Sequence, residues 1–338
     1  MRRTARLDPG DLTMLIRSAA LLLGVIVPLF LGDAARAATE DFGVWLQALR
    51  RDALADGVSK ATVDAALTNI TLIDRVIELD RQQPEFTMTF QEYVERVVPP
   101  KRVDRGRELI VEYHDLLTQV ARRYGVPPRF IVSLWAVESD YGRVMGDFPI
   151  IDALATLSYD GRRSSYFRSE LMQALHILDE QRMAPAALTG SWAGAMGQSQ
   201  FMPSSFRRFA VDQDGDGRAD IWNDQADVFA SIAHYLSALG WNATQGWGIE
   251  VRLPARFDTR LADSKAEKTV AAWQKLGVRT AAGGALPNPT VKAYVVLPAG
   301  ATGPAYLAYP NFKVILKWNR SDFFAIAAGL LADRIGAN

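Results

Sequence analysis

The 338-residue sequence contains no cysteine. That absence excludes a disulfide scaffold, a thiolate metal site, a cysteine nucleophile and a lipid anchor attached through cysteine. Histidine is nearly absent too. His114, His176 and His234 lie far apart in helical stretches, so each is expected to be structural rather than a ligand or a triad member. Charge of one sign is also missing. With 38 Lys+Arg against 38 Asp+Glu, there is no basic field to attract nucleic acid and no acidic field to keep a chain solvated and unfolded. The N-terminal apolar run, Ala19 to Leu31, has 13 residues, short of the about 20 that a membrane-spanning helix needs.

Arg2, Arg3, Arg6 and Arg17 precede that run and Ala35-Arg36-Ala37 follows it. A basic segment, a short apolar stretch and a small-residue cleavage site form the pattern of a secretory leader. Residues 1–37 are therefore expected to be removed after Ala37. Met14 is an alternative start that keeps Arg17 as the basic flank. The remaining 301 residues carry 33 basic and 35 acidic groups. With 49% apolar residues, that length supports one large domain or two to three small ones. Eight Trp are generous for a neutral chain and suit either a core or flat polar ligands such as sugars.

The body reads as mainly helical. Ile110, Tyr113, Leu117, Val120 and Tyr124 recur at helical spacing over 107–124, and Gly125 follows as a stop. Pro127-Pro128 open a second helix. Val228, Ile232, Tyr235 and Leu239 form one stripe over 225–239, and Ser321 is placed to cap a final helix. Between about 247 and 318, WGIEVRL, TVKAYVVL, PAYLAY and FKVILKW are β-branched and aromatic runs separated by Gly, Pro and Asn, which predicts strands, with a short helix over 262–275.

One carboxylate stands out. In Phe130-Ile-Val-Ser-Leu-Trp-Ala-Val-Glu138, Ile131, Leu134 and Trp135 precede Glu138 by seven, four and three residues, so Glu138 shares their apolar face. Desolvation disfavours a charged carboxylate, which is the condition a general acid near neutral pH requires. The competing reading is a helix-end Glu reaching water or Arg143. Farther on, Thr189-Gly-Ser-Trp-Ala-Gly-Ala-Met-Gly-Gln-Ser-Gln-Phe-Met-Pro203 combines three glycines, which permit close backbone approach, with Ser191, Gln198 and Gln200 beside Phe201 and Met202. Neutral donors and acceptors among apolar groups suit a carbohydrate better than a charged ligand. Finally, Asp212-Gln-Asp-Gly-Asp-Gly-Arg-Ala-Asp220 places acidic residues at positions 1, 3 and 5 and Gly at 6, as an EF-hand loop begins. Asp212, Asp214 and Asp216 would offer carboxylates to one hard cation, and Arg218 its carbonyl. Asn223 stands where the closing Glu is expected, leaving Asp220, Asp224 or Asp227 to supply that oxygen.

Glu138 within E-S-x-Y-G, followed by G-A-M-G-Q-x-Q-F-M-P-S, resembles the lytic murein transglycosylases of the membrane-bound lytic transglycosylase B type (glycoside hydrolase family 103). The likeness runs from Tyr93 through Gly125-Val126-Pro127-Pro128 to Trp318-Asn319. It implies a mainly α (α+β) chain with a lysozyme-like helical core, a flanking helical region and a small β-containing subdomain. The expected parts are 38–125 (helical), 126–246 (core with the cation loop), 247–318 (β-containing) and 319–338 (last helix). The resemblance further implies non-hydrolytic cleavage of the β-1,4 bond between N-acetylmuramic acid and N-acetylglucosamine, with Glu138 as acid and then base. Tyr93, Arg163, Ser191, Gln200, Tyr235 and Asn319 would bind substrate. Asp227 would close the cation loop, with one inserted residue, around a structural Ca²⁺. Trp318 and Phe324 depart from the family pattern, which has tyrosines there. The expected setting is a monomer free in the periplasm, not a lipoprotein, acting on peptidoglycan glycan strands alongside wall synthesis or turnover proteins. A hydrolytic muramidase and a non-catalytic peptidoglycan-binding protein are the alternatives.

Overall fold

The computed structural model describes residues 41–82 and 88–337; the leader expected over 1–37 lies outside them. The described chain opens with helices α1 (Phe42–Ala55), α2 (Lys60–Leu67), α3 (Asp74–Arg81), α4 (Phe90–Val97), α5 (Pro100–Glu112), α6 (His114–Tyr124) and α7 (Pro128–Ser139). Strand β1 (Phe148–Pro149), α8 (Ile150–Tyr159), α9 (Ser164–Glu180), β2 (Thr189–Gly190), α10 (Pro203–Phe209) and α11 (Gln225–Ala238) follow. Then come β3 (Gly248–Arg252), β4 (Lys268–Thr269), α12 (Val270–Lys275), β5 (Arg279–Thr280), β6 (Lys292–Val296), β7 (Ala305–Ala308), α13 (Pro310–Trp318) and α14 (Asp322–Gly336). This is the mainly α, α+β architecture expected. No described helix is long and apolar enough to cross a membrane.

Local chemistry sets many of these boundaries. Asp41 accepts from the Gly43 and Val44 amides, Ser59 from Thr62, and Ser321 from Phe324, each satisfying donors that a helix start leaves open. Thr89 and Glu92 form a reciprocal capping box at α4. Gly125 ends α6 at φ +70°, a conformation only glycine adopts without steric cost.

The chain divides into two compact units, neither continuous in sequence. The first comprises residues up to Phe86 together with Glu138–Ser231, and the second comprises Thr87–Val137 together with Ile232–Asn338. In the first, α8 is buried nearly all round through Ile150, Ile151, Leu154 and Leu157, and packs against α9, whose Phe167, Leu171, Leu175 and Leu178 are buried. The loop before α3 is tied to α8: the Thr71 amide donates to Asp152 Oδ1 (2.6 Å) and the Ile73 amide to Thr156 Oγ1 (3.0 Å). In the second unit a sheet of order β4-β6-β7-β3-β5 is antiparallel throughout its paired strands. Its small core gathers Val251, Val270, Trp273, Val278, Val295 and Leu307. Helix α14 packs on α4, α5 and α13, and Ser133 Oγ in α7 donates to the Ala328 carbonyl of α14 (2.6 Å).

Three local expectations differ from what is observed. FKVILKW is a helix, α13, not a strand. Pro310 starts it, and Phe312, Ile315 and Trp318 bury one face at spacings of three; a short apolar run does not by itself distinguish the two periods. The single helix expected over 107–124 is broken at Tyr113, whose ψ of 24° ends α5 and admits α6. The helix expected over 262–275 shrinks to α12, because the Thr269 side chain caps it by accepting from the Ala272 amide (3.2 Å).

Candidate active site

Glu138 stands one residue from the C-terminus of α7 and is 5% exposed. The segment after it turns sharply. Asp140, Tyr141 and Gly142 all have positive φ (51°, 63° and 78°), an arrangement costly for the first two that persists only when surrounding contacts impose it. Those contacts come from the glycine-rich loop. Ser139 Oγ donates to the Gln198 carbonyl (2.7 Å) and accepts from the Gly142 amide (3.0 Å). A Cβ on Gly142 would overlap the Gln198 side chain, and one on Gly146 would overlap the Gly190 carbonyl. The glycines at 142 and 146 thus let the turn lie directly on the loop. Arg143, the alternative partner for Glu138, forms its ion pair with Asp140.

The loop itself is held by its own polar groups. Ser191 Oγ accepts from the Ala195 amide (3.0 Å) and the Ser191 amide donates to the Ala195 carbonyl (2.7 Å). Gln198 Nε2 donates to the Trp222 carbonyl (2.8 Å), and Gln225 Nε2 donates to Gln198 Oε1 (3.1 Å). Gln200 Nε2 donates to the Met145 (3.0 Å) and Gly197 (2.8 Å) carbonyls. Its Oε1 is buried without a partner among the described residues, as is Ser199 Oγ. Two unpaired polar oxygens in one buried loop are exceptional in a native fold.

Glu138, Arg163, Ser191, Gln200 and the acidic loop belong to the first unit. Tyr93, Tyr235 and Asn319 belong to the second. There Tyr93 is buried with its ring 5.7 Å from that of Phe323. Tyr235 donates its hydroxyl to the Lys317 carbonyl (2.7 Å) and packs on Trp318 at 4.6 Å. Asn319 Oδ1 accepts from the Ser321 amide (3.0 Å). Phe324, where the family pattern has a tyrosine, is buried. Arg163 forms an ion pair with Asp80 and lies 4.9 Å over the Phe167 ring. The histidines are accounted for structurally: His114 meets Asp115, His176 Nε2 meets Asp56 Oδ2 (2.7 Å), and His234 packs against Tyr124.

Three contributors escaped the sequence reading. Ser139 sits inside the E-S-x-Y-G motif, so its position was visible although its role was not. Asp80 carried no signal, since its partners lie about 80 residues away. Glu170 is buried in α9 and accepts from the Ser204 amide (2.9 Å) and hydroxyl (2.7 Å), anchoring the end of the glycine-rich loop. Burial pushes the Glu170 carboxyl above the usual range, and the Ser204 hydrogen bonds offset this only in part. A raised folded-state pKa means the folded protein keeps a proton that the unfolded chain has lost, so stability falls as pH rises through that window. Glu170→Gln removes this titration. The melting temperature of the variant relative to wild type is expected to climb as pH rises upward from the ordinary carboxylate range; a pH-independent difference would show that Glu170 titrates alike in the folded and unfolded chains.

In the acidic loop, Asp212, Asp214 and Asp227 bring ligand oxygens within 4.8 Å of one another. Asp227 reaches the loop from α11 and accepts from the Gln213 (2.6 Å) and Asp220 (2.7 Å) amides. Desolvation, and after it the charges of Asp224 and Asp214, raise the Asp227 pKa against those two hydrogen bonds. Converging carboxylates with this mutual repulsion fit a hard divalent cation. Asp216 is outside the group, its Oδ1 accepting from the Arg218 amide (2.9 Å). Asn223, at the usual closing position, donates to Asp220 Oδ2 instead (3.1 Å).

Comparison with known proteins places these features in context. Residues 41–333 match the family model described as the transglycosylase SLT domain. The chain is 33% identical over 295 residues to the membrane-bound lytic murein transglycosylase B of Escherichia coli K12, covering 82% of this chain and 79% of that protein. Among solved structures, SltB3 from Pseudomonas aeruginosa superposes with a TM-score of 0.85 at 43% identity, covering 88% of this chain and 80% of that one, in complexes with NAG-NAM-pentapeptide and with NAG-anhNAM-pentapeptide. The Escherichia coli transglycosylase Slt35 in complex with calcium superposes at 0.73 with 32% identity, covering 86% and 92%.

Proposed function

The chain belongs to the transglycosylase SLT domain family and is a lytic transglycosylase of peptidoglycan, and from that premise we propose that Glu138 alone supplies its proton chemistry. The observation that carries this reading is a buried carboxyl whose turn is hydrogen-bonded to a loop without acidic residues, while the nearest carboxylate in sequence, Asp140, is held by Arg143. Hydrolytic glycosidases use two carboxylates, one on each side of the bond. A single one suffices when the substrate supplies the nucleophile.

In the first step the Glu138 carboxyl gives its proton to the glycosidic oxygen, and the bond from muramyl C1 to that oxygen breaks. The muramyl N-acetyl carbonyl supports the positive charge left at C1. In the second step the Glu138 carboxylate takes the proton of the muramyl 6-hydroxyl, and O6 forms a bond to C1. The proton returns to Glu138, no water is consumed, and the product ends in a 1,6-anhydromuramyl sugar. Intramolecular attack has a high effective concentration, and the burial of Glu138 excludes competing water. That a relative at 43% identity has been seen with NAG-anhNAM-pentapeptide supports this product.

Tyr93, Arg163, Ser191, Gln200, Tyr235 and Asn319 are assigned to substrate binding. Asp212, Asp214 and Asp227 would hold Ca²⁺; the cation would neutralise the carboxylates and tie the loop to α11. Its part is structural. With the leader removed, the enzyme would act in the periplasm. Mass spectrometry of murein digested by the purified protein tests the mechanism: anhydro ends, lighter by one water than reducing ends, are expected. Reducing ends would establish a muramidase instead.

A further inference from the structure

We propose that Asp80 is a positioning residue for this reaction, fixing the Arg163 guanidinium in the orientation that meets substrate; this rests on the assignment of Arg163 to substrate binding. Asp80, the penultimate residue of α3, is 2% exposed. Its carboxylate accepts from Arg162 Nε (2.7 Å) and Nη2 (3.3 Å) and also pairs with Arg163 Nη2, while its carbonyl accepts from Arg162 Nη2 (2.9 Å). Arg81 and Asp160 exchange a further ion pair beside it (2.8 Å).

A buried carboxylate must be paired to persist, and the two-pronged contact with Arg162 already meets that need. Arg163 is therefore surplus to neutralising Asp80, and the pair of arginines leaves one positive charge in excess. Three further features mark Arg163 as aimed rather than merely packed. Its φ of +126° is a strained conformation for any residue with a side chain. Its guanidinium is held against the Phe167 ring (4.9 Å) as well as by Asp80. Its Nε is buried and has no partner among the described residues. A cation clamped at one nitrogen and over one face, with another donor left over, is set to bind an oxygen of a ligand.

The test uses the full-length protein and soluble glycan strands carrying stem peptides, with steady-state release of product as the readout. Asp80→Asn is expected to raise KM about tenfold with kcat within about twofold, since a misaimed binding group costs affinity rather than chemistry. Arg163→Gln should give a similar rise, and the double variant should add nothing to KM beyond the single ones. A folded Asp80→Asn protein with unchanged KM overturns the inference, as does a double variant whose KM change is the product of the two. Should Asp80→Asn fail to fold, Asp80→Glu takes its place. It keeps the charge but moves the carboxylate by one methylene, and a KM rise of about threefold is expected; no change again overturns the inference. If Arg163→Gln alone leaves KM unchanged, the assignment of Arg163 to substrate falls, and this inference with it. A rise in Arg163→Gln without one in Asp80→Asn defeats only the role of Asp80.

Discussion

Replacing Glu138 with Gln is expected to leave a folded protein that still binds glycan strands but turns them over about 10³-fold more slowly. The amide matches the carboxyl in shape and keeps hydrogen-bonding capacity, so the turn over Ser139, Asp140 and Gly142 has no steric reason to move. What it removes is the proton. Both steps of the proposed reaction draw on that proton, first as donor and then, after its loss, as the base for the 6-hydroxyl. An amide in a site 5% exposed also carries no charge to desolvate, so the melting temperature should be unchanged or slightly raised. Binding measured by co-sedimentation with insoluble murein, beside turnover on the same material, separates the possibilities. Loss of both would point to misfolding. Retention of both would remove Glu138 from the chemistry and favour a different acid or a purely binding protein.

The second large effect concerns the acidic loop. A cation that binds only the folded state at 100 times its Kd stabilises that state by about 2.7 kcal/mol, which for a chain of this size raises Tm by roughly 5 °C or more. Calcium should produce this shift, a chelator should reverse it, and Asp227→Asn should abolish it. The same variant should behave in the opposite sense without the cation. Because burial and the neighbouring charges of Asp224 and Asp214 raise the Asp227 pKa, ionising it at neutral pH destabilises the cation-free fold. That stability is highest below the ordinary carboxylate range and declines as pH rises through the raised value. Asp227→Asn should therefore melt higher than wild type in chelator and lower in calcium. Equal calcium shifts in both proteins would show that the cation binds elsewhere.

How far these features were legible follows the distance over which each is determined. Caps at Ser321 and Gly125 and the first-turn Pro128 act within a few residues, so pattern alone located them. The run FKVILKW was ambiguous because consecutive apolar residues satisfy both a strand and a buried helix; packing of Phe312, Ile315 and Trp318 on one face decided it. The break at Tyr113 left no trace because the apolar stripe continues through it at unbroken spacing.

The candidate site divides along the same line. From the sequence by itself came a leader-like N-terminus, the absence of thiol chemistry, a carboxylate on an apolar helix face, a glycine-rich loop with neutral polar groups and an acidic loop. Each is a property of residue type and near spacing. Only the tertiary structure decided that Ser139 binds the loop 59 residues later, that Asp216 stands apart from Asp212, Asp214 and Asp227, and that Asp80 holds two arginines from 82 and 83 residues away. Long-range pairs depend on where folding brings distant backbone segments, and a buried charge reveals its partner only once both have left water.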